Sequence, residues 1–276
     1  MTAASARRAN LWGGLITALT VLIALIWAFP LYWGVISSLK PEDEVVRPYI
    51  ELWPENLTFQ HYIHALTATQ IGNWYVNSVA VAVGVMVITI LSSMLCGYAL
   101  SQLSFPGRKV LWWLILASFM VPLQALIINH FVLVSQLGLI NTWAGIMLPQ
   151  LIHPVIIIVY KQFFDSIPKE FREAALIDGA RHWQVFFTIF LPLNWGITAA
   201  LAIIIFIGAW NAFLWPFLAV TRPEMMNVTV GATQLGSWGI DGLAAALLSG
   251  LPIAIVYLLF QRKVSEAMML SAGIKG

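Results

Sequence analysis

Apolar residues fall in six long runs, at residues 11–37, 75–103, 110–134, 144–164, 195–220 and 242–260, separated by short polar segments. A helix needs roughly 20 apolar residues to cross the hydrocarbon core, so every run is long enough to span a bilayer. The pattern predicts an all-α polytopic membrane protein with six transmembrane helices in a single transmembrane domain over residues 1–276. Pro149 and Pro154 make the fourth run the least regular. Pro122 and Pro252 predict further kinks, which are tolerable where neighbouring groups satisfy the freed carbonyls. The first run follows Arg7 and Arg8, but it is too long for a signal-peptide core and lacks a small-x-small cleavage site. It reads as an uncleaved first span.

The polar segments set the direction. With the N-terminus inside, the cytoplasmic side carries Arg7, Arg8, Arg108, Lys109, Lys161, Lys169, Arg172, Arg181, Arg262, Lys263 and Lys275, eleven of the fourteen basic residues. Lys40, Arg47 and Arg222 fall outside. Cytoplasmic loops carry the excess of Lys and Arg, so both termini are expected in the cytoplasm. Two longer polar pieces remain. Residues 38–74 form an external loop rich in Pro and acid, including Glu42, Asp43 and Glu44, with a short amphipathic helix expected at 59–66. Residues 165–194 form the one sizeable cytoplasmic loop.

Composition agrees with a bilayer as solvent. The chain is 60% hydrophobic and 9% charged, with mean hydropathy +0.85, against about 25% charged in a soluble domain. Thirteen Trp suit membrane interfaces. A net charge of +2 gives no case for nucleic acid. Cys96 is alone and reads as a small packing residue.

The chain has no G-x-x-x-x-G-K-[ST] loop, no metal-ligand spacing and no Ser/His/Asp set, so it is not expected to be an enzyme or to hold a cofactor. The spans carry only His130 and His153 as titratable groups of interest, each read as a hydrogen-bonded packing residue. That counts against a stand-alone carrier driven by protons or sodium, and against an ion channel. Neutral polar residues are present at Gln124, Asn129, Gln150, Trp210 and Asn211. Amides and aromatic faces suit a polyol pathway. They equally suit interhelical hydrogen bonds worth about 0.6 kcal/mol each.

The cytoplasmic loop has the most unusual sequence. Ser166 reads as an N-cap, Pro168 as a first-turn residue and Gly179 as a helix stop. Ala174 and Ala175 would let another surface approach the backbone closely. A second amphipathic stretch at 183–190 leads to Leu191-Pro192. The expected arrangement is a short docking helix held below the bilayer by a membrane-hugging one.

The spacing Glu173-Ala174-Ala175, Gly179, Ile189, Leu191-Pro192, with Asp178 and Ala180, resembles the EAA signature of binding-protein-dependent ABC importers. Further phrases resemble the carbohydrate-uptake branch: Pro30-Leu31-Tyr32, Ser38-Leu39-Lys40-Pro41, Asn77-Ser78, Phe105-Pro106-Gly107, Asn141-Thr142-Trp143-Ala144-Gly145, Leu148-Pro149, Trp210-Asn211, Trp215-Pro216 and the tail Ala272-Gly273-Ile274-Lys275-Gly276. Over nearly its whole length the chain is similar to MalG-type permeases, the shorter of two unlike subunits in type I importers.

The resemblance implies a fold, partners and roles. The partners would be a second permease, a pair of ATP-binding subunits that hold ATP and Mg, and an extracytoplasmic solute-binding protein. The setting would be a bacterial or archaeal cytoplasmic membrane. Glu173, Ala174, Ala175, Asp178, Gly179 and Ala180 would couple the permease to the ATPase, and the C-terminal tail would reach toward it. The segment 221–241 would either face the binding protein or serve as a flexible connector. The cargo would be a sugar, or in the same architecture a polyol, a glycerol phosphodiester or a sulfosugar.

Overall fold

The apolar runs become helices, and their breaks follow the prolines. The computed structural model describes residues 3–49, 51–235 and 239–271, with side chains over 12–49, 51–235 and 239–262. All regular structure among them is helical. Three helices are long and apolar enough to cross a membrane unbroken: Trp12–Ser38, Ile71–Gln102 and Ile240–Arg262. Three more candidates are bent pairs: Arg108–Phe119 with Leu123–Gln136 (93°), Trp143–Gln150 with Pro154–Asp165 (55°), and His182–Leu193 with Trp195–Trp210 (79°). The described residues thus hold three to six candidate spans, the larger number if each bent pair is one.

At two of the three breaks a side chain takes up a freed carbonyl. Pro154 has no N–H for the carbonyl of Gln150, and the buried Thr89 hydroxyl donates to Gln150 O (3.4 Å) and Leu151 O (3.1 Å). At Asn194 the backbone N–H turns to Leu191 O, while its side-chain amide donates to Phe190 O at 2.8 Å.

The fifth run differs from expectation. Its helix ends at Trp210 rather than continuing to 220, and Leu214–Ala219 is a separate short helix. The cause is Pro216, which cannot donate to the Ala212 carbonyl. That oxygen accepts from Asn227 Nδ2 (2.9 Å) and Thr229 Oγ1 (3.1 Å) instead. Pro252, in contrast, lies inside a continuous helix, Ile240–Ser271.

Two compact units divide the chain: residues 1–69 with 232–249, and residues 70–231 with 250–276. In the first unit, the Trp12–Ser38 span leads into a polar knot. Lys40 is 3% exposed; its ammonium donates to Glu51 O at 2.6 Å and lies 5.4 Å from the Trp33 ring centre. Arg47 bridges Glu51 (3.0 Å) and Glu55 (2.9 Å). Burial pushes the Glu44 carboxyl up, but N–H donors from Asn56 and Glu55 and the nearby Arg47 outweigh it and hold the group below its ordinary range. The amphipathic helix expected at 59–66 is Gln60–Thr67, and His61 and His64 on it both reach Asp241, at 2.7 and 3.2 Å.

The second unit is built around the Ile71–Gln102 helix. Its buried positions include Ile71, Trp74, Ser78, Val81, Val85, Thr89, Ser93, Gly97 and Leu100, spaced three or four apart, so one stripe faces inward. The Pro154–Asp165 and Trp195–Trp210 helices pack on it. Gly97 sets the first of these approaches: a Cβ there would lie 2.8 Å from Tyr160 Cβ and 3.1 Å from Lys161 N. Small residues at such crossings are what lets helices associate in lipid.

Candidate coupling helix and polar cleft

The helix expected to dock a partner is Lys169–Ile177, with Pro168 at its N-cap. Ser166 does not cap it. It closes the preceding helix instead, its hydroxyl donating to Phe163 O at 2.7 Å. At the other end Asp178 is the C-cap and Gly179 takes φ +84°. The N–H of Ala180 donates to Ala175 O (2.9 Å) and that of Gly179 to Leu176 O (3.1 Å). These two bonds are the Schellman pattern, which needs a left-handed residue after the C-cap.

The cap gives a test. An L-residue with a β-branch at φ +84° costs about 1–2 kcal/mol, so Gly179→Val is expected to speed amide exchange at Ala180 by about 5- to 30-fold. Gly179→Asn, which tolerates that conformation, is expected to stay within a few-fold of the parent. Hydrogen–deuterium exchange with fragment analysis reads both.

The helix splits its residues between two faces. Arg172, Ala175 and Leu176 are half-buried, while Glu170, Glu173, Ala174 and Ile177 are exposed, with Ile177 at 85%. Ala174 is therefore available to an outside surface and Ala175 is turned inward. Asp178 and Gly179 are exposed and Ala180 is half-buried.

Beneath this helix sits an aromatic cluster that periodicity alone does not reveal. Tyr98, on the Ile71–Gln102 span, meets Phe164 at 6.1 Å, Phe186 at 5.2 Å and Phe190 at 5.1 Å between ring centres, all edge-on. Its hydroxyl donates to His182 O at 3.3 Å. The stretch expected as a membrane-hugging helix is His182–Val185 followed by a wider π turn, Phe186–Phe190. That extra-wide turn leaves both Phe186 and Phe190 buried against Tyr98. The segment after the docking helix is thus tied rigidly to a span. The i, i+4 spacing of the two phenylalanines was the available signal.

The five neutral polar residues separate. Gln124 and Gln150 line one cleft of about 120 Å³ with His130 and Trp215. Trp215 is oriented by its N–H, shared between Gly145 O (3.2 Å) and Ile146 O (3.1 Å), and His130 lies edge-on to it at 6.1 Å. Trp210 is 2% exposed, packed against Tyr75 and Phe206. Asn211 donates to Ile207 O at 3.0 Å as a helix C-cap, and Asn129 is exposed away from the cleft lining. Among the described residues, no Lys, Arg, Asp or Glu lines the cleft.

A second set of amides clamps the segment 221–231. Asn77 donates to Glu224 O and Met226 O, both at 2.9 Å, and accepts from Trp143 Nε1 at 2.9 Å. The Ser78 hydroxyl accepts from Val228 N at 2.8 Å, and Trp74 donates to Pro223 O at 2.7 Å. Asn141, at φ +62°, accepts from the N–H groups of Thr221 (2.7 Å) and Arg222 (2.9 Å). Of the segment 221–241, residues 236–238 lie outside the described residues, as does the tail at 272–276.

An apolar, helical chain with broken spans, a capped exposed helix and a polar cleft defines a multi-pass membrane protein. Residues 89–269 match the family model described as binding-protein-dependent transport system inner membrane component. The chain belongs to that family. It is 33% identical to the arabinooligosaccharides transport system permease protein AraQ of Halalkalibacterium halodurans, covering 95% of this chain and 96% of that one. It is 33% identical to the diacetylchitobiose uptake system permease protein NgcG of Streptomyces coelicolor (90% and 84%). It is 30% identical to the sn-glycerol-3-phosphate transport system permease protein UgpE of Brucella abortus (92% and 93%). Among solved structures, one chain of a bacterial ABC transporter involved in the import of the acidic polysaccharide alginate has the same fold. Its TM-score is 0.81 at 23% identity, with 93% of this chain and 97% of that chain covered.

Proposed function

We propose that this chain is a permease subunit of an ATP-driven importer for a sugar or sugar-like solute. Three observations support the reading. Relatives over nearly its whole length are named for oligosaccharide uptake. The cleft presents two amides and an aromatic face without a formal charge from Lys, Arg, Asp or Glu. The Glu173–Ala174 face of a capped helix, joined through Tyr98 to a span, stands ready for a partner. That last observation carries the proposal, because it gives an outside energy source a rigid point of entry.

In this reading the chain is one domain of six spans with both termini in the cytoplasm. Residues 38–74 are external and 165–194 cytoplasmic. The partners are a second, unlike permease, two ATP-binding subunits that hold ATP and Mg, and a solute-binding protein. This chain turns over no substrate itself. Glu173, Ala174, Ala175, Asp178, Gly179 and Ala180 form the coupling site. Gln124 and Gln150, with His130 and Trp215 added, line part of the path; Trp210 serves packing, and Asn129 and Asn211 stand apart. A glycerol phosphate cargo, as in the Brucella relative's name, is the second reading, and a cleft without a Lys or Arg speaks against it.

Inverted vesicles carrying the assembled importer test this. Solute movement is expected to require ATP and to ignore collapse of proton and sodium gradients. ATP-independent solute movement that disappears with an ion gradient would refute it.

A further inference from the structure

We infer that a basic cleft at one end of the second unit's helices binds the phosphate of an anionic phospholipid headgroup. The cleft has a volume of about 690 Å³ and lies where the Ile71–Gln102 and Pro154–Asp165 helices end and Arg108–Phe119 begins. Leu100, Phe105 and Trp112 give it apolar walls, and Arg108, Lys109 and Lys161 give it charge.

Among the described residues these charges are not cancelled. Asp165 is the one carboxylate described beside them, and it is already held by Lys161 Nζ at 2.5 Å and Ser101 Oγ at 2.6 Å. Lys161 is also fixed over the Trp112 ring, 4.9 Å from its centre. Arg108 spends two N–H groups on Leu103 O (3.1 Å) and Ser101 O (3.4 Å), out of the five a guanidinium carries. Lys109 is exposed, and among the described residues it makes no hydrogen bond or ion pair. Three cations against one occupied carboxylate leave an excess positive charge. The N-terminal end of the 12-residue Arg108–Phe119 helix adds its positive dipole to it.

The walls decide the kind of anion. Immediately along the same helix, Val110, Leu111, Trp113 and Leu114 are exposed and apolar. In a bilayer such a surface suits acyl chains. A ligand filling this place needs an anionic head beside Arg108 and Lys109 and a tail running along Leu111 and Leu114. A glycerophospholipid has that form, and basic pockets between helix ends are a known means of holding such heads. The headgroup chemistry stands on the cleft alone. Only its assignment to the cytoplasmic leaflet rests on the orientation proposed above.

The test is native mass spectrometry of the full chain in non-ionic detergent, titrated with phosphatidylglycerol, phosphatidylcholine or soluble glycerol phosphate. Phosphatidylglycerol is expected to bind preferentially. Lys109→Gln is expected to weaken it about fivefold, the equivalent of roughly 1 kcal/mol for one cation near an anionic surface, and Lys109→Arg to restore it. Because Lys109 holds no partner among the described residues, the variant is expected to melt at the parent temperature in phosphatidylcholine. Equal binding of the two lipids, or an unchanged affinity in Lys109→Gln, would overturn the site. Soluble glycerol phosphate displacing the lipid at similar concentration would overturn the lipid as its source. None of these readings depends on transport, so a failed importer assignment would leave them interpretable.

Discussion

Glu173→Lys is expected to abolish ATP-dependent uptake while leaving the chain at its normal level in the membrane. Glu173 is exposed and lies on the same outward face as Ala174 and Ile177. A charge change at such a surface position normally moves the protein's own stability by no more than about 0.5 kcal/mol. At a docking interface the same change loses a charge-assisted contact and places a like charge against the partner. Disrupting one partner of a buried, hydrogen-bonded charge pair costs roughly 2–5 kcal/mol, which weakens docking by about 30-fold to several thousand-fold. The interface effect therefore outweighs the folding effect by several-fold or more. Glu170→Lys is the control: it reverses an equally exposed charge in the first turn, where the helix dipole makes it cost about 0.3–1 kcal/mol. Co-purification of the ATP-binding subunit and uptake in vesicles read both variants. If Glu173→Lys takes up solute and retains the ATPase like the parent, while both chains reach the membrane, the coupling assignment is wrong.

Much of this architecture was legible because a membrane writes its demands as long apolar runs. The runs at 11–37 and 75–103 became the Trp12–Ser38 and Ile71–Gln102 helices with shifts of a few residues. The fifth run ends earlier than its hydropathy implies because residues on both sides of Pro216 are apolar, so hydropathy cannot see a helix end there. The deciding contacts, Asn227 and Thr229 on the Ala212 carbonyl, come from another part of the chain. Ser166 is ambiguous in sequence for a similar reason. The same Ser-x-Pro pattern can start a helix or finish the one before it, and the hydrogen bond back to Phe163 settles which. In sequence Lys40 is only an external charge, yet its burial depends on Glu51 and Trp33 meeting across a loop. In the candidate site, Gly179 was readable from local chemistry, since only the left-handed region completes the cap. The choice between Trp210 and Trp215 was not, because both lie in apolar sequence and only packing turns one inward and one toward Gln124 and Gln150.

The Asn77-Ser78 phrase shows how a visible pattern can lack a visible reason, and it yields the second large effect. Asn77 is 5% exposed and satisfies three groups at once: two carbonyls, at Glu224 and Met226, and the Trp143 N–H. Sequence shows the phrase but not the partner segment some 147 residues away. Substitution by Leu removes all three bonds and leaves three polar groups to find others. A hydrogen bond between membrane helices averages about 0.6 kcal/mol, whereas a buried group left unsatisfied costs about 1–3 kcal/mol. The second figure governs here, because Met226 is itself buried and its bond to Asn77 lies in a buried environment. The expected loss is about 2–4 kcal/mol, concentrated on residues 221–231 rather than spread over the unit. A thiol reports it. Cys96 is the chain's single cysteine, so a Cys96→Ser, Met226→Cys background carries one buried reactive group. Adding Asn77→Leu is expected to raise its labelling rate about 30-fold or more, the factor that 2 kcal/mol of local opening implies. Trp143→Phe, which removes one donor and leaves both carbonyls held, is expected to raise it only a few-fold. Equal labelling in all three backgrounds would mean that Asn77 does not hold this segment down.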